Sequence, residues 1–204
     1  MSQNVYKVLK QYANECDKEY HRFNSWRHCY EFFKKSFEKE KLDIEYSALN
    51  LGFYLASWGM YRGSTFLLQN NHKIHEVLIR RIKEEKLFRI ENFNEIKCLE
   101  KLIRESYSKA LPNTKNNKNI SDTLITKIIL GIYGCIPAYD RYFILGLKET
   151  KREYYKYSEK SFDELEEFYI LNKNEFDKFN KEQTLEYPKM KLLDMYFWKI
   201  GFDS

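Results

Sequence analysis

The chain has 204 residues, of which 32% are charged, 43% hydrophobic and 17% aromatic. That aromatic content is too high for a disordered chain, and 7 Gly with 3 Pro are too few for a β protein built on many tight turns. No hydrophobic run is long enough to cross a bilayer, so a compact soluble protein is expected.

The formal net charge of +5 is unevenly distributed along the chain. The excess of Lys and Arg lies within residues 1–127, whereas residues 148–204 carry two more acidic than basic side chains. A basic stretch can attract phosphates or acidic partners, although a solvated Lys/Glu surface is the simpler interpretation.

The first elements are two amphipathic helices. Apolar residues recur at three- and four-residue steps from Val5 to Cys16 and from Trp26 to Phe37, the spacing of one buried helical face. No targeting sequence is expected before the first helix, and the cysteines form no C-x-x-C pair. We therefore expect Cys16, Cys29, Cys98 and Cys135 to be buried or free thiols in the reducing cytoplasm.

From Tyr46 to Tyr61, sixteen consecutive residues carry no charge. A helix of that length rises only about 24 Å, which is less than the hydrocarbon thickness of about 30 Å. We therefore expect a central core helix near residues 44–61, buried nearly all round.

Apolar residues recur at the same three- and four-residue steps within 74–82 and 96–103, which predicts two further helices. They precede a polar stretch at 112–121, which is the clearest loop of the chain and the best candidate boundary between two helical lobes. His72 and His75 have a spacing compatible with two metal ligands on one helical face, but no further ligand motif accompanies them and no metal site is predicted.

A second charge-free segment runs from Ile128 to Tyr139, and six of the seven glycines lie in or next to the two charge-free segments. Gly in a helix interior costs about 0.5–1 kcal/mol relative to Ala, so this distribution predicts close backbone packing or sharp turns. We expect the two segments to touch, with residues 134–142 packed near Arg62.

The last stripes run from Phe162 to Phe179 and from Met190 to Ile200, after Pro188. The chain is thus predicted to form a single all-α domain over residues 1–204, a bundle of about eight or nine helices.

Polar side chains end each charge-free segment. Arg62 follows the first, and Asp140 and Arg141 follow the second. Asp140 is expected near a helix N-terminus, where backbone N–H groups keep a carboxylate ionised, so that it could orient a water or stabilise a cation. The alternative is that Asp140 caps its helix and pairs with Arg62 or Arg141 as a structural node.

Four further side chains are candidates for binding. Asp194 lies between apolar residues of the last helix, where a surface position is the simpler interpretation and a site the alternative. Trp58, Tyr139 and Trp198 could stack on a flat ligand such as a base, or belong to the core without one. No phosphate loop, nucleophile elbow or kinase motif is present, so no cofactor is predicted.

Residues 55–64 and 130–143 resemble those of a family of uncharacterised bacterial all-helical proteins. More distantly, residues 136–140, Ile-Pro-Ala-Tyr-Asp, resemble the proline–aspartate helix start of the helix-hairpin-helix DNA glycosylase superfamily, whose fold is all-helical and two-lobed. The closing segment 191–201 is similar to the C-terminal helix of some members.

This resemblance implies that Asp140 is a catalytic carboxylate and Lys127 the amine nucleophile of an enzyme that extrudes and excises a base. The sequence departs from the family pattern, because the Gly-x-Gly hairpin is missing ahead of Lys127. If Gly131 and Gly134 form the hairpin instead, Asp140 follows the hairpin too closely in sequence to be the catalytic residue of that family.

Two functions stay open. One is a DNA-binding protein of glycosylase-like architecture that recognises or excises a base, with Arg62 and Arg141 as phosphate or carboxylate partners. The other is a non-catalytic helical interaction module, for example a phage-defence or regulatory component, whose partner is another protein. Whether the protein is an enzyme is left open, and no membrane partner is expected.

Overall fold

The structure is a computed structural model that describes residues 4–16, 18, 20–63, 65–111 and 120–204. Within these residues it contains ten α-helices and no strand, which confirms the all-α class with slightly more helices than expected. The helices are α1 (Val5–Cys16), α2 (Asn24–Glu38), α3 (Ile44–Ser57), α4 (Glu76–Glu84), α5 (Phe93–Ala110), α6 (Asp122–Tyr133), α7 (Arg141–Glu149), α8 (Glu159–Leu171), α9 (Lys173–Lys181) and α10 (Lys189–Asp203). Two 3₁₀ turns, Phe66–Gln69 and His72–His75, lie between α3 and α4.

The chain divides into two compact units. Unit 1 comprises residues 1–21 and 134–204 and contains α1 and α7–α10, whereas unit 2 comprises residues 22–133 and contains α2–α6. Most of the predicted boundary loop, residues 112–119, lies outside the described residues, and the helices on both sides of it belong to unit 2. The units meet in sequence between residues 21 and 22 and between residues 133 and 134. At the second place α6 ends at Tyr133 and is followed by Gly134, whose φ of 66° does not continue a right-handed helix.

The two charge-free segments differ in burial. In α6 every residue from Leu124 to Ile132 is buried, as expected. In α3, by contrast, Tyr46, Leu49 and Phe53 are 57%, 45% and 60% exposed. The expectation that this helix is buried nearly all round is therefore wrong. The His72–His75 turn, α2, α4 and α6 cover only part of its circumference, and the open part is apolar too.

Within unit 2 the two segments touch, as the glycines predicted. A Cβ on Gly131 would lie 2.5 Å from Cε1 of Tyr54, so α6 can pack this closely on α3 only with glycine there. The indole N–H of Trp26 donates to the Leu130 carbonyl oxygen at 2.9 Å and joins α2 to α6. The expected proximity of Arg62 to residues 134–142 concerns two different units and stays a prediction.

Within unit 1, α7 and α10 cross at two glycines. A Cβ on Gly146 would overlap the Phe197 carbonyl oxygen, and one on Gly201 would overlap the Tyr142 carbonyl oxygen. The backbones therefore touch, and α10 is buried along its length from Met190 to Gly201. This close crossing fixes the place of α10, which carries Asp194 and Trp198.

Candidate functional site

A groove of about 540 Å³ opens on unit 2 between α2, the segment after α4 and the end of α6. Four aromatic rings and two isoleucines line it, and three charged side chains complete its lining. The lining residues are Tyr30, Phe37, Phe88, Tyr133, Ile90, Ile132, Lys34, Glu38 and Arg89. We call this feature the aromatic groove.

Three of its rings form a stack that is already in place. The Phe37 ring lies between Phe88, at a centroid distance of 5.3 Å and 28° between planes, and Tyr133, at 5.5 Å and 25°. The Tyr133 hydroxyl donates to the Leu87 carbonyl oxygen at 2.7 Å, which ties the segment after α4 to α6. These contacts hold the rings, so a flat ligand would meet a preformed surface.

The fourth ring, Tyr30, is held by a separate contact. It stacks on Trp26 at a centroid distance of 5.0 Å and 10° between planes. All four lining rings are half-buried, so each keeps part of its surface accessible.

Two cations, Lys34 and Arg89, and one carboxylate, Glu38, line the groove, so its charges favour an anionic ligand. Lys34 is exposed, and the Arg89 side chain is 86% exposed while its Nε lies 2.6 Å from Oε1 of Glu91. A surface ion pair of this kind contributes only about 0–1 kcal/mol, so Arg89 can exchange Glu91 for a phosphate at little cost. Unit 2 has twenty Lys and Arg against thirteen Asp and Glu, a formal charge of +7, whereas unit 1 carries −2.

A neighbouring groove of about 450 Å³ shares Arg89 and Ile90 with the aromatic groove but is electrically balanced. Its lining holds three Lys or Arg and three Glu. Arg81 lies 3.0 Å from Glu85 and 2.9 Å from Glu105, and these hydrogen bonds raise the pKa of its guanidinium against the effect of burial. An anion is therefore expected to bind less favourably in this groove than in the aromatic groove.

Among the residues predicted from sequence, unit 2 brings Lys127 and Trp58 together. The Lys127 side chain is buried, with Nζ 5.1 Å from the centroid of the Trp58 ring. That ring also stacks on Phe23, at 5.3 Å and 10° between planes. Trp58 thus has a packing role and a cation–π contact.

Arg62, another residue predicted from sequence, is exposed. Its guanidinium lies against Gly59, and a Cβ built on Gly59 would lie 3.1 Å from Nε of Arg62.

In unit 1, Asp140 caps α7, which is one half of the structural interpretation, and its pairing with Arg62 or Arg141 stays a prediction. Its Oδ1 accepts hydrogen bonds from the backbone N–H groups of Tyr142 and Phe143, both at 3.1 Å. Arg141 is exposed, with its guanidinium 5.7 Å from the Tyr142 ring. The cap accounts for an aspartate at this position, and a catalytic role for it stays a prediction.

Asp194 is buried, so the interpretation that placed it at the surface is wrong. Its Oδ2 lies 2.7 Å from Nζ of Lys191, and the two side chains are 6% and 3% exposed. Its Oδ1 accepts the Ala138 N–H at 3.0 Å and so ties the segment before α7 to α10. The buried carboxylate is compensated by both contacts, which give Asp194 a structural role.

Tyr139 and Trp198 are both packed inside unit 1. The Tyr139 hydroxyl lies 2.8 Å from Oγ of Ser161, and burial raises the pKa of Tyr139. Trp198 stacks on Phe202 at 4.8 Å and meets the edge of Tyr12 at 6.1 Å. These contacts favour the core interpretation of both rings over a stacking surface for a ligand.

Sequence reasoning missed a hydrogen-bonded cluster in unit 2, in which the buried His75 lies between the hydroxyls of Tyr61 and Tyr107. Nε2 of His75 lies 2.7 Å from the Tyr61 hydroxyl, and Nδ1 lies 2.5 Å from the Tyr107 hydroxyl. Burial, with a smaller effect of His72, lowers the pKa of His75 to about 3, and burial raises the pKa of Tyr61 to about 12. Both ring nitrogens of His75 are thus engaged by tyrosines rather than held open for a metal.

In the part of the chain that the structure describes, no group of three or more His, Cys, Asp or Glu side chains is arranged to hold a metal ion. Over the same residues, no helix combines the length and the apolar character needed to cross a membrane.

Comparisons with protein-family models, with curated proteins and with solved structures found no match to this chain. The resemblance to the helix-hairpin-helix glycosylases therefore stays a prediction. Function has to be inferred from the chemistry of the sites that the chain itself provides.

Proposed function

We propose that this protein binds nucleic acid and that its aromatic groove receives an unpaired base. The observation that carries the proposal is the presence, in one groove, of four aromatic rings together with Lys34 and Arg89. Stacking of a base on an aromatic ring contributes about 1–3 kcal/mol and tolerates every base, because each base has a π-face.

The charge of unit 2 supports the same function. Its formal charge of +7 attracts a phosphate backbone at long range, and the two exposed cations of the groove can contact phosphates directly. The volume of about 540 Å³ lies within the usual range of small-ligand sites and has room for one nucleotide.

Binding in this groove does not require excision of the base. The two residues that the glycosylase resemblance points to are engaged elsewhere, since Asp140 caps α7 and Lys127 is buried against Trp58. Recognition of a base is therefore the part of the DNA-binding hypothesis that we propose.

The test is the anisotropy of a fluorescent single-stranded oligonucleotide, titrated with protein at several salt concentrations. We expect the logarithm of the binding constant to fall linearly with the logarithm of the salt concentration. Lys34→Ala and Arg89→Ala should each reduce that slope by about 0.7, the value for one phosphate contact to a single strand. Phe88→Ala should weaken binding by about 5- to 150-fold with no change of slope, because it removes stacking alone.

Matched controls come from unit 1. Lys156→Ala removes an exposed lysine, and Tyr155→Ala removes a partly exposed aromatic ring, both outside the groove. These variants should bind like the unmodified protein. The proposal fails if the protein does not bind at low salt, or if the groove variants bind no more weakly than these controls.

A further inference from the structure

One face of α3 presents apolar side chains to solvent on successive turns. Tyr46, Leu49 and Phe53 are 57%, 45% and 60% exposed, and Ala56 is exposed as well. Their spacing of three, four and three residues is the spacing of a seam between two packed helices. Single exposed apolar residues are ordinary, whereas an exposed row of them on one helix is the kind of patch that often has a function. We call these four residues the α3 face.

We propose that the α3 face binds the α3 face of a second copy of this chain, with the two helices antiparallel about a two-fold axis. An interface of this symmetry has to be complementary to itself. Antiparallel pairing centred on residue 51 places Tyr46 opposite the partner's Ala56 and Leu49 opposite the partner's Phe53. Each larger side chain then meets a smaller one, which allows close packing along the seam.

The charges at the two ends of the α3 face are complementary in the same arrangement. Asp43 and Glu45 are exposed at the N-terminal end, where Glu45 already pairs with Lys73 of its own copy at 3.4 Å, so Asp43 is the relevant carboxylate. The Arg62 guanidinium lies against Gly59 just beyond the C-terminal end. In this register Gly59 of one copy lies opposite Asp43 of the other. Because the Arg62 guanidinium lies against Gly59, it comes opposite Asp43 of the second copy. The antiparallel helix dipoles add to this attraction.

Other arrangements and other partners fit less well. Parallel pairing would set Asp43 against Asp43 and Arg62 against Arg62, which is repulsive. A nucleic acid would meet no Lys or Arg along the α3 face itself, with Arg62 at one end and Asp43 and the Glu45–Lys73 ion pair at the other. A second copy is the partner whose charges match both ends.

The size of the α3 face sets the expected affinity. From the exposed fractions of its residues, the apolar area is on the order of 300 Å² per copy, against about 800 Å² for each partner of a standard stable interface. The dimer is therefore expected to be weak, with self-association visible only at high protein concentration.

The first test is sedimentation equilibrium from about 5 μM to 500 μM, a range that spans the association expected from the small interface. The weight-average mass should rise from the monomer towards twice that value. Phe53→Glu should keep the protein monomeric throughout, without loss of folding because the side chain is 60% exposed. Ile170→Glu, at an apolar side chain of α8 that is 66% exposed, is the matched control and should dimerise normally.

The second test fixes the register by cross-linking in a Cys98→Ser background, which removes an exposed native thiol. A mixture of Leu49→Cys and Phe53→Cys proteins should form an intermolecular disulfide faster than either variant alone. The proposal is overturned if the protein stays monomeric at all concentrations, if Phe53→Glu dimerises like the unmodified chain, or if Leu49→Cys alone cross-links faster than the mixture.

Discussion

At His75, burial decides the protonation state of a side chain. One ring nitrogen donates to a tyrosine hydroxyl and the other accepts from one, in a site where His75 is fully buried and its pKa is lowered to about 3. In the unfolded chain the same imidazole has a pKa of about 6.5. Below that pH the unfolded state takes up a proton that the folded state does not, so stability is complete above about pH 6.5 and falls as the pH drops towards 3.

The resulting prediction concerns the free energy of unfolding. It should fall by about 2 kcal/mol between pH 7.5 and pH 5, a range in which most carboxylates stay ionised. Urea denaturation at each pH measures it. His75→Gln should remove most of this slope, whereas His28→Gln, at an exposed position, should leave it unchanged. An equal slope in the His75→Gln protein would show that another group is responsible.

Some features of the candidate site could be predicted from neighbouring residues in the chain, and others depend on tertiary packing. The capping position of Asp140 could be predicted, because a cap depends on neighbours in the chain. The environment of Asp194 could not, since its burial depends on how α10 is enclosed, although Lys191 at the i−3 position is visible in the sequence. Tyr61, His75 and Tyr107 are 14 and 32 residues apart, so no short motif indicates that they meet.

At the scale of elements, α3 and α6 show what a charge-free segment does and does not predict. α3 begins at Ile44, as expected, but ends at Ser57, and α6 covers only residues 128–133 of the second charge-free segment. Both helices have a buried face. The absence of charge did not reveal that the remaining face of α3 is open, because a row of apolar residues is compatible with burial and with an interface. The aromatic groove was missed for a related reason, since its rings come from α2, the segment after α4 and α6.

The crossing of α7 and α10 provides a prediction about an element. Gly146→Ala should destabilise the protein by about 3 kcal/mol, because the new methyl group overlaps the Phe197 carbonyl oxygen and two backbones have to separate. Gly52→Ala, in the interior of α3, is the matched control. There the nearest atom is Cβ of His72 at 3.1 Å, and a gain of up to about 1 kcal/mol in helix propensity offsets the small shift needed. Thermal or urea denaturation of both variants measures the difference, and equal stabilities would contradict the close crossing.

At the scale of the whole molecule, the charge distribution was readable in advance. The positive excess counted along the sequence corresponds to unit 2, which carries +7, and the slight negative excess corresponds to unit 1, at −2. Unit 2 holds both the aromatic groove and the α3 face. Two copies joined at the α3 face would therefore bring two grooves into one assembly.

This arrangement predicts that binding depends on the length of the nucleic acid. When a dimer forms, a strand long enough to reach both grooves binds the second one at a raised effective concentration, which should strengthen binding by about 10-fold or more over a short strand. Anisotropy measures this excess with oligonucleotides of about 8 and 30 nucleotides, at protein concentrations where the dimer forms. The short oligonucleotide covers a single site, and the long one covers two. Phe53→Glu should abolish the excess and leave the short strand bound as before. If Phe53→Glu instead weakens binding of the short strand, the α3 face itself contacts nucleic acid, and the separation of the two surfaces is wrong.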